Sequence, residues 1–90
     1  MPYITKINRN VFEKGLEILS GLVVTPGELN YLFTMLANDY INQKKGKSYQ
    51  YINDAIGALE CAKQELYRRV AVPYEELRRG ASGDVYENTQ

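Results

Sequence analysis

The chain has 90 residues, with eleven Lys and Arg against eleven Asp and Glu and so no formal net charge. That is the length of one domain, without the basic excess that phosphate contacts to DNA or RNA require. Histidine is absent and Cys61 is the sole cysteine, which excludes a disulfide framework, the usual zinc sites and imidazole catalysis.

The first periodic segment runs from about Asn8 to Val23. Val11, Phe12, Leu16, Leu19 and Val23 recur at steps of three and four, the period of one helix face. Asn8 is the expected cap. Thr25-Pro26-Gly27-Glu28 then reads as a capping box with proline in the first turn, where its missing N–H costs nothing. Leu29, Leu32, Phe33, Leu36, Tyr40 and Ile41 form the apolar stripe of a second helix that ends near Gln43. The connection Lys44 to Ser48, with Gly46 inside it, is short enough to make the flanking helices antiparallel neighbours.

Ser48 is the expected cap of a long third helix. Ile52, Ile56, Leu59, Leu66 and Val70 carry its stripe to Val72. Pro73 removes one helical hydrogen bond and crowds the carbonyl of Arg69, so a kink or restart is expected there. Tyr74 and Leu77 continue the spacing, and Gly80 is the expected stop. The fold class read from this pattern is all-α: a three-helix antiparallel arrangement with a long C-terminal helix kinked at Pro73. Residues 1–80 form a single helical domain and 81–90 a polar tail anchored by Val85 and Tyr86.

Size points to assembly. At 10.3 kDa a folded monomer exposes about 5,300 Å² and its unfolded chain about 15,000 Å². Residues 49–72 as one helix span about 36 Å, longer than the roughly 31 Å diameter of a compact chain of this length. The overhang carries Tyr67, Val70, Val72, Tyr74 and Leu77. Other copies of the chain are the expected cover, so a homo-oligomer is expected.

Few constellations carry chemistry. Asn53, Gly57, Glu60, Gln64, Tyr67 and Ala71 lie on one face of the third helix. The row is either a polar edge where Gly57 lets another helix approach or the polar floor of a ligand site. Arg68-Arg69 and Arg78-Arg79 flank Pro73. Guanidinium forks suit phosphate or carboxylate, yet Glu65, Glu75 and Glu76 are near enough to neutralise them. Lys44, Lys45 and Lys47 read as a solvated loop. Eight of the ten aromatic residues are tyrosine, which suits half-wet positions at interfaces and ligand sites. No nucleophile stands beside a base, and Cys61 reads as an inert buried thiol. No enzyme activity and no cofactor or metal are expected. Nor is a membrane partner, since no run approaches the 18 or so apolar residues of a span. Met1 to Lys6 lacks the apolar stretch of a signal peptide.

The strings Thr25-Pro26-Gly27-Glu28-Leu29-Asn30-Tyr31, Ile52 to Arg69 (INDAIGALECAKQELYRR), Pro73-Tyr74-Glu75 and Gly83-Asp84-Val85-Tyr86 resemble a family of small proteins from phages, prophages and bacteria, a domain of unknown function. The opening Met1 to Ile4 resembles it too. The resemblance implies a mobile-element context and a cytoplasmic location in an infected or lysogenic bacterium, but no activity. The motif positions Asn30, Asp54, Gly57 and Tyr86, with several named above, hold more polar and aromatic groups than packing needs.

Two functions follow as expectations. The first is a sponge that sequesters a small anionic nucleotide used in bacterial immune signalling, an anti-defence role. The chain is similar to phage-encoded sponges in size and context, not in motif. Its ligand-binding residues would be Tyr31, Asn53, Glu60, Tyr67, Arg68, Arg69 and Tyr74, with arginines for phosphate and tyrosines for the base. The alternative is a helical protein–protein interaction module that inhibits a host protein. A carboxylate-based hydrolase ranks last.

Overall fold

Three of the helix starts are set by side-chain oxygens, of Thr5, Thr25 and Ser48, that accept from free backbone N–H groups. A computed structural model describes residues 2–43 and 48–86. Among them lie α1 (Lys6–Asn10), α2 (Glu13–Leu22), α3 (Pro26–Gln43), α4 (Tyr49–Leu66), a π turn (Tyr67–Ala71) and α5 (Val72–Ser82), with no strand. The all-α class holds. Lys44 to Lys47, including Gly46 and the lysine cluster, lie outside the described residues, as do residues 87–90.

The single helix expected from Asn8 to Val23 is instead two. Thr5, not Asn8, caps the first: its hydroxyl accepts from the Asn8 N–H at 3.3 Å. The Phe12 N–H reaches back only three residues, to Arg9 O at 3.0 Å, and this tight turn ends α1. Leu16 N–H to Phe12 O at 2.9 Å starts α2.

The capping box forms as read. Glu28 N–H donates to Thr25 Oγ1 at 3.1 Å, and Glu28 Oε1 accepts from the N–H groups of Thr25 at 3.0 Å and Val24 at 2.8 Å. Ser48 caps α4 by accepting from the Tyr51 N–H at 3.3 Å. α3 and α4 pack on each other over Ala55, which at 6% exposure is the one buried residue among those described. The third member of the expected bundle does not close on them. Between α2 and Leu36 of α3 lies an open groove of about 430 Å³.

Pro73 neither ends nor restarts the long helix. Ala71 (φ −67°, ψ −46°) and Val72 (φ −62°, ψ −50°) stay right-handed helical. A proline cannot donate, and its ring crowds the carbonyl four residues back. The chain answers by widening: Val72 N–H bonds Tyr67 O, five residues back. A π turn thus forms where the sequence predicts a kink or restart. Gly80 does not stop α5 either, because glycine weakens a helix without blocking it. The stop is Gly83, whose φ of 87° and ψ of 152° leave the helix while its N–H donates to Arg79 O at 2.8 Å. Ala81 and Ser82 therefore belong to the helix rather than to the tail.

The result is open. The Cα radius of gyration is 17.7 Å, against about 12 Å for a compact chain of this length. Accessible area is 8,416 Å², far above the roughly 5,300 Å² of a folded monomer.

Candidate functional site

Two surfaces stand out: a polar row along the outside of the long helix and an apolar groove on its inside. The row begins with Asn53, which is exposed. Glu60 follows, accepting from Gln64 Nε2 at 3.1 Å and pairing with Lys63 Nζ at 3.3 Å. The Gln64 amide first, then the Lys63 ammonium, hold the Glu60 carboxyl below its ordinary value. At 3.6 residues per turn this row lies roughly opposite Ala55, away from α3. Among the described residues nothing beyond the surrounding helix backbone lies within 4 Å of where a Cβ on Gly57 would sit, so none of the described helices uses that glycine for close approach.

Around the π turn the charges are partly spent. Arg68 pairs with Glu65, its Nε donating to Oε1 at 3.1 Å. The Tyr3 hydroxyl donates to the other Glu65 oxygen. Tyr3 and then Arg68 pull the Glu65 carboxyl below its ordinary value, and Glu65 in turn raises the Tyr3 phenol. Arg79 pairs with Glu76. Arg69 makes no hydrogen bond or ion pair among the described residues, though its charge is felt at both Tyr3 and Glu65. Tyr67 and Tyr74 are both exposed. Cys61 is exposed as well, against the buried thiol expected. It lines a shallow recess of about 100 Å³ with Pro2, Gln64, Glu65 and Arg68, because its face of α4 is covered only by the first few residues.

The seven expected ligand residues do not converge in one chain. Asn53 to Tyr74 spans 21 helical positions, about 31 Å. Tyr31 sits on α3, beside Leu19, Leu22, Val23, Glu28 and Leu32. Arg68 and Arg69 are neighbours, but the first is already paired. Sequence reasoning missed Tyr3, whose role in tying the N-terminus to α4 no periodicity announces.

The groove is built from Phe33, Leu36, Ala37 and Tyr40 of α3 and Asp54, Ala55, Ala58, Leu59 and Ala62 of α4, and holds about 390 Å³. Leu36, 60% exposed, also lines the groove facing α2, so the apolar surface is continuous across three helices. Large apolar side chains at this exposure mark an interface in a soluble protein.

Among the described residues no helix is long and apolar enough to cross a membrane. No curated protein and no solved structure matches the chain. Residues 1–85 match the model of a domain of unknown function, DUF6899, and the chain belongs to that family.

Proposed function

We propose that the protein is a helical interaction module that works as a homo-oligomer. The observation that carries this is that, among the described residues, Ala55 alone is buried and the apolar side chains otherwise stay at least partly open. Hydrophobic burial is the main favourable term in folding, and a lone copy of this shape forgoes most of it. Assembly supplies the rest. Inhibition of a host protein would then use surface left free by the oligomer, above all the outer tyrosines. Light scattering at micromolar concentration tests the oligomer, and a species of one chain's mass overturns it.

The small-anion reading keeps one specific observation in its favour: Arg69, without a hydrogen bond or ion pair among the described residues, lies on the same helix as the exposed rings of Tyr67 and Tyr74. A nucleotide would place phosphate on the first and its base on the second. Because six of the seven residues are strung along the long helix and Tyr31 sits apart on α3, the site would need a further copy to close it. In a thermal-shift screen of mono- and cyclic nucleotides, this reading expects stabilisation that Arg69→Ala weakens by about ten-fold in affinity, the worth of one charge-assisted contact. Absence of any shift with wild type rejects it. An anti-defence role in an infected bacterium belongs to this proposal alone.

A further inference from the structure

We infer that the α3–α4 groove is filled by the π turn and α5 of a second copy, in an antiparallel pair of long helices with a two-fold axis near Leu66. This rests on the homo-oligomer reading and adds the contact face and its register.

Length comes first. From Tyr49 to Ser82 the helix is continuous, about 51 Å at 1.5 Å per residue, which accounts for the 53 Å long axis of the molecule. Its first half packs on α3. Its second half, residues 67–82, packs on no other helix of the chain. That bare stretch is about 24 Å long and α3 about 27 Å. An antiparallel copy lays the bare half of each chain over the packed half of the other, so a single operator covers both open surfaces.

The π turn supplies the alignment. It holds one residue more than an α turn, which rotates everything after it back by about 100°. Tyr74 and Leu77 then fall within about 40° of the mean direction of Ala55, Ala58 and Ala62. An unbroken α-helix would place them about 130° and 70° away. Both are well exposed, Tyr74 at 60% and Leu77 at 75%.

Register follows from spacing. Ala55, Ala58, Ala62 and Leu66 are separated by steps of 3, 4 and 4, and Leu66, Val70, Tyr74 and Leu77 by 4, 4 and 3. A two-fold axis at Leu66 therefore sets Ala62 against Val70, Ala58 against Tyr74 and Ala55 against Leu77 of the other copy. Every small residue meets a large one, which is how facing layers interdigitate. The groove of about 390 Å³ has Ala55, Ala58 and Ala62 flanked by Asp54 and Leu59 on its α4 side and Phe33, Leu36 and Tyr40 on its α3 side, so the alanines leave room for a leucine and a phenol ring. The chain exposes about 3,100 Å² more than a folded monomer of its mass. Obligate pairs bury some 2,000–5,000 Å² in total, or about 1,000–2,500 Å² on each copy, so the open surface of each chain is more than enough for such a contact.

Disulfide trapping tests this in full-length protein carrying Cys61→Ala. Leu66→Cys chains should link to themselves under mild oxidation, converting most of the protein to a covalent dimer. Leu77→Cys chains alone should give no dimer. Ala58→Cys mixed with Tyr74→Cys should give the mixed dimer, since a disulfide needs Cα atoms within about 7 Å. Circular dichroism checks that each variant is helical. Self-linking through Leu77→Cys would mean parallel pairing and overturn the inference. So would an oligomer that links at none of these positions, while leaving the homo-oligomer reading intact. A monomer by light scattering overturns both.

Discussion

The hydroxyl of Tyr3 donates to the Glu65 carboxylate and so ties the start of the chain to the last turn of α4. The same carboxylate takes Arg68. One acidic side chain thus holds the N-terminal segment and one of the two adjacent arginines at the π turn. Tyr3→Phe keeps the ring and removes the donor. We expect faster amide exchange in residues 2–10 and a lower thermal midpoint, with helix content unchanged. Equal exchange in both proteins would show that the tie does not form in solution.

Glu28 and Glu65 make stability depend on pH in a defined direction. Backbone N–H groups of Val24 and Thr25 hold the Glu28 carboxyl below its ordinary value of 4.5, and Tyr3 and Arg68 do so for Glu65. A carboxyl lowered on folding adds stability that is complete above its unfolded value and is lost as pH falls through its folded value. The Tyr3 phenol, raised above 10.0, adds stability below that value and loses it as pH rises through the folded one. Denaturation midpoints should therefore fall at both ends. Tyr3→Phe should abolish the alkaline loss that comes from this phenol and weaken the acid one.

Thr25→Ala removes the hydroxyl that accepts from Glu28 N–H and leaves the apolar stripe of α3 untouched. Loss of such a cap costs about 0.5–2 kcal/mol. An unchanged midpoint in urea would show that Glu28 alone holds the helix start.

Cys61 is exposed, on a face of α4 roughly a quarter turn from the inferred dimer contact. Thiol reagents should label it in the native protein at a rate close to that in denaturant. Strong native protection would place another chain over the recess that it shares with Pro2 and Arg68.

Gly83 adopts φ 87° and ψ 152°, a region open almost solely to glycine, where a side chain costs about 1–3 kcal/mol. Gly83→Ala should fray the last turn of α5, seen as faster exchange of the Gly83 position and its neighbours. The global midpoint should move little, because α5 packs on no other helix within the chain. A large global loss would mean that the end of α5 is held by another copy.

Local signals were legible in the sequence wherever the cause is local. The Thr25–Glu28 box, the Ser48 cap and the all-helical class depend on residues three or four apart, and all three hold. The outcome at Pro73 was not legible. Sequence shows that proline must disturb the helix, but a restart and a widened turn answer the same missing hydrogen bond. The backbone of the whole helix decides between them, here for a π turn without a restart. The split of the first helix and the exposure of Cys61 escaped for the same reason. Periodicity marks which residues are apolar, while burial depends on what else in the chain reaches them, and in this chain little does. The polar row from Asn53 to Ala71 is a face of one helix, as its spacing says. That it runs for about 27 Å without another of the described helices closing over it is a tertiary fact. Three- and four-residue steps determined the elements of this protein, and the three-dimensional arrangement decided that those elements leave their apolar faces open.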